Sequence, residues 1–253
     1  LSHLEEVVRT AIRFLYNGSL RGYYPTETVA KTASKNRRLG LGIMGLHEFM
    51  LQHGARYEWS VDLAKVFAVW SDVADDEAKK YAAAKGGATP VATRAIAPTG
   101  TISIIAGTTS GIEPVFCLAY KRRYQSNGRY LFQYVIDPTA KRMLDAGVPA
   151  KNIEDAYTLS NDVPRRLFVQ ACVQAYTDQA ISSTVNLPSN YDSTMLAETV
   201  AKYLPRLKGV AFYPDNARSG QPLVPVSVDE ALAHEGVVYE ENSEKCLNGV
   251  CGI

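Results

Sequence analysis

Long apolar runs are missing from the 253-residue chain. No uninterrupted stretch approaches the roughly 20 residues that a membrane-spanning helix requires, and the opening residues, LSHLEEVVRT, lack the apolar centre of a signal peptide. Excess charge is also missing, because 27 Lys and Arg are balanced by 26 Asp and Glu, and this excludes the strongly basic surface of a nucleic-acid-binding domain. The sequence predicts a cytoplasmic protein whose partners include neither a membrane nor a nucleic acid.

The common catalytic signatures are absent too. The sequence has no H-E-x-x-H motif, Walker loop or Cys-x-x-Cys pair, and its four histidines form no pair at metal-ligand spacing, so we expect no metal site. The segment Gly40-Leu-Gly-Ile-Met-Gly45 matches the G-x-G-x-x-G pattern of dinucleotide-binding turns, but the basic residues before it do not predict the strand that such a turn requires. We interpret these glycines as points of close backbone approach.

Cysteine is scarce, with four residues in all, too few for the disulfide framework of a small secreted protein. Cys117 and Cys172 lie within apolar stretches and are expected to be core thiols. Cys246 and Cys251 lie five positions apart in a polar, glycine-containing segment, a setting that suits thiol–disulfide exchange with a partner thiol. The alternative for this pair is half of a zinc site, which would need two more ligands.

Hydrophobic periodicity predicts a helical layer over the first third of the chain. The first helix is expected to begin with a capping box formed by Ser2 and Glu5 and to end at Gly18. Three more helices are expected at 26–37, 41–53 and 60–85.

The composition then changes to β-prone runs separated by Thr, Ser and Gly: ATRAIA, TISIIAG and GIEPVFCLAY. Asn127-Gly128 lies between two runs suited to strands and predicts a hairpin with a type I′ turn. Further along, predicted helices at 138–146, 164–182 and 193–207 alternate with extended stretches that include STVNLP and KGVAFYP. This alternation indicates an α/β fold.

One segment has the composition of a phosphate cradle. It offers hydroxyl groups, a glycine and free backbone N–H groups, and it consists of Pro98, Thr99, Gly100, Thr101, Ile102 and Ser103. On local chemistry alone an ordinary Thr/Gly turn is the commoner interpretation. Glu113, inside an apolar run, is expected to be paired or hydrogen-bonded, and a structural role is favoured over a catalytic one.

Six segments, in this order, resemble the C-terminal part of ribonucleotide reductase catalytic subunits: NRRLGLGIMGLHEF, APTGTISIIAGTTSGIEPVF, YVIDPTAKRML, DQAISSTVNLP, KGVAFYPDNARSGQP and CLNGVCGI. The resemblance covers nearly the whole chain. Its most specific part, PTGTISIIAGTTSGIEP, is more similar to the adenosylcobalamin-dependent (class II) members than to the metal-dependent (class I) members.

The resemblance implies a fold and a chemistry. The fold would be α/β, the C-terminal half of a ten-stranded α/β barrel with a helical layer at its start, comprising residues 1–220, followed by a flexible redox tail at 221–253. The chemistry would be thiyl-radical reduction of a ribonucleoside di- or triphosphate, with adenosylcobalamin as the cofactor of the complete enzyme.

The resemblance also implies roles for individual residues. Pro98, Thr99, Gly100, Thr101 and Ile102 match the family's substrate-phosphate loop, and this context favours phosphate binding over an ordinary turn. Cys246 and Cys251 match the family's tail cysteines. They would re-reduce the active-site disulfide and would themselves be reduced by thioredoxin or glutaredoxin.

Two departures from the family pattern affect the expected activity of the chain and the expected source of the radical. The radical-bearing Asn-x-Cys-x-Glu motif is absent, so the chain would be inactive alone and would need the upstream half of the reductase, as in a split gene, an intein-interrupted gene or a shortened chain. Where class I members carry two radical-relaying tyrosines, this sequence has Phe212-Tyr213, and phenylalanine has no ionisable hydroxyl. This favours a cobalamin radical source. A class I fragment and a non-catalytic phosphate- or nucleotide-binding α/β module are the alternatives.

Overall fold

The computed structural model describes residues 1–214 and 223–240. The helices in these residues are α1 (Ser2–Arg21), α2 (Glu27–Asn36), α3 (Leu46–Gln52), α4 (Val61–Ala84), α5 (Gly100–Ala106), α6 (Pro138–Asp145), α7 (Val163–Gln174), α8 (Ser193–Tyr203) and α9 (Val228–Ala233). The strands are β1 (Ala119–Ser126), β2 (Arg129–Ile136), β3 (Thr184–Leu187), β4 (Ala211–Pro214), β5 (Leu223–Pro225) and β6 (Val238–Glu240). None of the described helices is long and apolar enough to span a membrane.

The predicted helical layer is confirmed, with α1 packed along α4. The buried face of α1 repeats at helical spacing through Val8, Ile12 and Tyr16, and it joins the largest apolar cluster together with residues of α4. The predicted capping box is wrong: the helix is capped by the Leu1 carbonyl, which accepts from the backbone N–H of Glu5, and no side-chain cap forms.

The predicted helix at 41–53 begins later, at Leu46, because the residues before it are extended. Leu41 donates its backbone N–H to the carbonyl of Thr93 and pairs in parallel with Arg94. The extended segment 39–41 contains Gly40 itself, and α2 occupies the residues up to Asn36, so no strand precedes the glycines in this described part of the chain, as expected. Close approach is confirmed, since a Cβ at Gly42 would lie 2.7 Å from the Ala95 carbonyl oxygen.

Four parallel segments stand side by side and form the α/β part of the fold. In spatial order they are 39–41, 92–96, 179–187 and 211–214. The last two contain β3 and β4, whose parallel pairing is connected through α8. The predicted α/β fold is thus confirmed, and its helices α7 and α8 cover the outer side of β3 and β4 with a second apolar cluster.

A four-stranded antiparallel sheet, in the order β5-β1-β2-β6, adjoins the parallel segments. Its centre is the predicted hairpin, whose turn residues Asn127 and Gly128 have φ angles of 49° and 77°. Positive φ at both positions is the type I′ geometry, so the hairpin prediction is confirmed.

The strand expected over TISIIAG is wrong, because this run forms α5. A short apolar run does not distinguish strand from helix by periodicity. Gly107, at φ 68°, ends the helix by donating its N–H to the carbonyls of Ser103 and Ile104.

Arg94 joins the helical layer to the parallel segments. Its side chain is 5% exposed and donates to Asp75 at 2.7 Å and to Asp178 at 2.8 Å. It also donates to the backbone carbonyls of Ser71 and Tyr176. Partial burial raises the pKa of Asp178, but the backbone N–H of Thr93 and the charge of Arg94 outweigh this effect and leave the pKa lowered.

Substitution Arg94→Leu should lower the free energy of unfolding by about 3 kcal/mol, the lower end of the range for breaking a buried ion pair, since both aspartates keep some contact with solvent. Urea denaturation would measure the change. The control is Lys65→Leu in the exposed Lys65–Asp62 pair, which should change stability by less than about 1 kcal/mol. Equal effects of the two substitutions on stability would contradict the conclusion that Arg94 joins the helical layer to the parallel segments.

Candidate functional site

The largest of the described cavities, of about 830 Å³, lies on the inner face of the parallel segments. Because side chains alternate along a strand, Ser182, Thr184 and Asn186 face the cavity, whereas Val185 and Leu187 are buried beneath α7 and α8. The strand pattern therefore gives the cavity a polar wall on one side of β3 and a hydrophobic core on the other.

The segment 98–111, here named the α5 loop, forms one rim of the cavity. Thr99 adopts the left-handed conformation (φ 53°) immediately before α5, and its Oγ1 accepts from the backbone N–H of Gly111 at 2.9 Å. The N–H groups of the first helical turn have no acceptor within the helix. At Gly100 an added Cβ would meet no atom within 4 Å, so this backbone is open to a ligand.

The structure gives the five predicted phosphate-loop residues three different positions. Pro98 and Gly100 line the cavity, and Thr99 closes the base of the loop. The side chains of Thr101 and Ile102 are exposed, and neither belongs to the cavity lining among the described residues. Any contribution of these two residues to the cavity would come from their backbone N–H groups.

Of two hydroxyl residues on the rim, the sequence analysis included Ser103 in the candidate cradle and missed Ser110. Ser103 is 2% exposed, and its hydroxyl lies 2.7 Å from that of Ser110; both residues line the cavity. The available signal was the hydroxyl-rich run that follows the predicted loop, TTSG, but its meaning depends on α5 folding back to bring the two serines together.

Glu113 lies in the cavity wall as half of a largely buried ion pair. One carboxylate oxygen accepts from Arg166 at 2.6 Å, and the other accepts from the backbone N–H of Thr184 at 2.6 Å. The expectation of a paired carboxylate is confirmed. Arg166 is 3% exposed, and its guanidinium carbon lies 4.9 Å from the centre of the Tyr57 ring. Burial lowers the pKa of Arg166, but interactions with Tyr57 and Glu113 outweigh burial and leave the pKa raised.

Aromatic side chains form another part of the cavity lining. Phe116 and Tyr157 pack edge to face with ring centres 5.5 Å apart, and Tyr120 also lines this region. Asp137 adds a carboxylate, which caps α6 by accepting from the N–H groups of two following residues. Burial raises the pKa of Asp137 despite these hydrogen bonds. The cavity lining therefore offers both hydroxyl groups and aromatic side chains to a ligand.

His47 supports the cavity wall from behind. It is fully buried; its Nδ1 accepts from the backbone N–H of Val115 at 2.9 Å, and its Nε2 has no hydrogen-bond partner among the described residues. Burial and the positive charge of Arg166 lower the pKa of His47 to about 3. This histidine is therefore neutral at pH 7.

Two of the four cysteines lie within the residues that the structure describes. Cys117 and Cys172 are buried free thiols, as predicted, and burial raises the pKa of each. Cys246 and Cys251 lie outside the described residues. Within 1–214 and 223–240 no group of three His, Cys, Asp or Glu side chains is arranged to hold a metal ion.

The low pKa of His47 predicts a pH effect on stability. Below about pH 6.5 the unfolded chain takes up a proton at this histidine and the folded chain does not, so the free energy of unfolding falls as the pH falls towards 3. The slope from this residue approaches about 1.4 kcal/mol per pH unit.

The variant His47→Gln keeps an acceptor for Val115 but loses this proton uptake. Urea denaturation at pH 7, 6 and 5 should show that the variant loses about 1 kcal/mol less per pH unit than the unsubstituted chain between pH 6 and 5. Substitution of the exposed His3 by Gln is the matched control and should leave the slope unchanged. Equal slopes for all three proteins would show that His47 titrates normally.

A family model described as "Ribonucleotide reductase, barrel domain" matches residues 1–69 and 62–213. Two curated relatives are named vitamin B12-dependent ribonucleoside-diphosphate reductase. The protein from Mycobacterium tuberculosis (strain CDC 1551 / Oshkosh) is 32% identical over 91% of this chain and 39% of its own length. The protein from Thermoplasma acidophilum is 28% identical over 94% of this chain and 36% of its own length.

Among solved structures, a crystal structure of a B12-dependent (class II) ribonucleotide reductase aligns with 91% of this chain at a TM-score of 0.77 and 17% identity. The alignment covers 37% of that protein. At this identity the likeness concerns the fold. The chain spans about two fifths of the length of the curated relatives described above.

Proposed function

The chain belongs to the ribonucleotide reductase family, to whose barrel domain most of it corresponds, and from this premise we propose that it is part of an adenosylcobalamin-dependent ribonucleotide reductase. In this proposal the chain supplies the substrate-phosphate loop, Pro98 to Ile102, and a dithiol relay formed by Cys246 and Cys251. The complete enzyme would reduce ribonucleoside di- or triphosphates.

The observation that carries the proposal is the position of the α5 loop on the rim of the largest described cavity. Gly100 presents open backbone there, next to the hydroxyls of Ser103 and Ser110. Backbone N–H groups and hydroxyls are the donors from which phosphate sites without lysine are built. Phe116 and Tyr157 in the lining offer an aromatic surface for the rest of a nucleotide.

The size of the cavity suits a nucleotide rather than the cofactor. Pockets for small organic ligands have volumes of about 300 to 1,000 Å³, and the cavity, at about 830 Å³, lies within this range. A corrin with its adenosyl group is much larger than a nucleotide, and the described residues do not fit it. We therefore assign the cavity to the substrate, and the expectation of adenosylcobalamin rests on the names of the relatives.

The distance from Glu240 to the cavity wall supports the relay. Glu240 pairs with Leu131, which pairs with Tyr124, four residues along β1 from Tyr120 in the cavity wall. Strand geometry separates Glu240 and Tyr120 by roughly 17 Å. Six residues can extend to about 20 Å, so the distance permits Cys246 to reach the cavity mouth.

The pair Phe212-Tyr213 supports a cobalamin-dependent enzyme over a class I enzyme. Phe212 packs in the apolar cluster beneath β4, whereas Tyr213 lines the cavity. A relay through adjacent residues would need a titratable group at both positions, and phenylalanine provides none. The match to B12-dependent relatives over nine tenths of the chain agrees with this preference.

Gly100→Ala tests the phosphate loop. The new methyl group would meet no protein atom within 4 Å, so folding should be preserved, but it would stand where a phosphate approaches the backbone. We expect ADP to bind about tenfold more weakly, as for the loss of one hydrogen bond to a charged group. Calorimetric titration would measure the affinity.

Gly18→Ala on α1 is the control for Gly100→Ala, because its added methyl group also meets no atom within 4 Å. It should leave ADP affinity unchanged. If both variants bound ADP as tightly as the unsubstituted chain, the α5 loop would not be the phosphate site.

Turnover tests the reductase assignment. The chain, mixed with the polypeptide that supplies the radical cysteine, should reduce ribonucleotides only with adenosylcobalamin. Cys246→Ser should abolish turnover supported by a thioredoxin system and preserve turnover supported by dithiothreitol, because a small dithiol reaches the active site without the relay. Ser243→Ala, a substitution in the same segment that removes no thiol, should behave as the unsubstituted chain.

Two results of the turnover assay would change the proposed function. Recovery of activity with a metal-loaded radical subunit instead of cobalamin would move the chain to class I. ADP binding without turnover under either condition would favour the second candidate, a phosphate- or nucleotide-binding module, for which the same cavity is the supporting observation.

A further inference from the structure

Apolar packing does not hold the α5 loop in place. Of the seven residues in α5, Ser103 is the buried one. Ile102, Ile104 and Ile105 are 55%, 78% and 81% exposed. A segment with so little buried apolar surface has low local stability unless polar contacts fix it.

Hydrogen bonds within the loop fix its shape but not its position relative to the cavity. Thr99 accepts from the backbone N–H of Gly111, and the hydroxyls of Ser103 and Ser110 lie 2.7 Å apart. These contacts join residues of the same loop. Its orientation depends on contacts with other elements.

Arg142 of α6 makes such a contact at the carboxyl end of α5. Its Nη2 donates to the Gly107 carbonyl at 2.6 Å and to Oε1 of Glu48 at 2.6 Å. The other oxygen of Glu48 accepts from Thr108 at 2.5 Å. One carboxylate on α3 therefore holds both the arginine and the loop, and the backbone N–H of Gly45 adds a bond to the Thr109 carbonyl at 2.7 Å.

The charge of Arg142 suits its location. Helix carbonyls that lack intrahelical partners carry partial negative charge, so a cation is favourable at this end of α5. Arg142 does not belong to the cavity lining among the described residues. An effect of Arg142 on a ligand in the cavity would pass through the Gly107 carbonyl and through Glu48 to Thr108, and its charge also acts on Asp137 in the cavity lining.

We propose that Arg142, held by Glu48, is a positioning residue that orients the α5 loop towards the phosphates of a nucleotide in the cavity. This inference rests on the proposed phosphate role of the loop. The ion pair between Glu48 on α3 and Arg142 on α6 would then have a selective effect. It would set the affinity for the phosphate part of the ligand and leave the affinity for the nucleoside part unchanged.

The test compares ADP with adenosine, using the full chain and NMR titration to obtain both dissociation constants. Arg142→Gln should weaken ADP binding roughly tenfold, as expected when a binding group is misplaced without being removed, and should leave adenosine binding unchanged. Arg142→Lys keeps a cation that can reach both acceptors and should restore most of the ratio between the two affinities.

The matched control is Arg56→Gln, which removes an exposed arginine from its ion pair with Glu154, away from the loop. It should change neither affinity. Thermal unfolding of each variant would separate loss of binding from loss of folding.

Three results of the ADP and adenosine titrations would test the positioning role of Arg142. A reduced ADP-to-adenosine ratio in Arg142→Gln, restored in Arg142→Lys, would support the positioning role. An unchanged ratio, or equal weakening of both ligands, would overturn it. If the unsubstituted chain bound ADP no more tightly than adenosine, the proposed phosphate loop itself would fail, and the positioning role would fail with it.

Discussion

The parallel pairing of segment 92–96 is the constraint on which the rest of the structure depends. Its backbone is hydrogen-bonded to 39–41 on one side and to 179–182 on the other. A segment paired on both edges has a fixed register, and this register places Arg94 between Asp75 and Asp178. The helical layer is therefore aligned with the parallel segments by the same few residues that lead into the α5 loop.

The buried charge of Arg166 determines the electrostatics behind the cavity wall. Arg166 is almost fully buried, and its charge is balanced by Glu113, whose other oxygen accepts from the backbone of β3. The same charge helps to keep His47 neutral. Because removal of either partner of a buried pair leaves an uncompensated charge, Glu113 has a structural function that is sufficient to explain its position in the wall.

Local sequence signals predicted those elements whose causes are local. Asn127-Gly128 specifies its turn through backbone conformation alone, and Ser60 caps α4 by accepting from the N–H of Leu63. The helix α5 was mispredicted because a short apolar run does not distinguish strand from helix. The start of α3 was mispredicted because it depends on a distant partner. Leu41 is extended since Thr93 accepts its N–H, and this pairing across fifty residues leaves no local trace.

The same distinction applies to the site. The segment of Pro98 and Gly100 was predicted as a phosphate loop through its resemblance to the family, because its composition alone favoured an ordinary turn. The polar wall was visible in principle as the alternation of polar and apolar residues in STVNLP. The pairing of Glu113 with Arg166 had no such signal, because the sequence indicates that a carboxylate needs a partner but not which cation provides it.

The α5 loop shows how a segment can be exposed and still have a defined geometry. Three isoleucines face solvent, so burial cannot fix the helix, and the loop instead uses hydrogen bonds at its two ends. A polar contact such as that from Arg142 to Gly107 is directional, with a narrow range of favourable distances and angles. It can therefore orient a backbone without covering it, and this leaves the N–H groups at Gly100 open to a ligand while the opposite end of the helix is held.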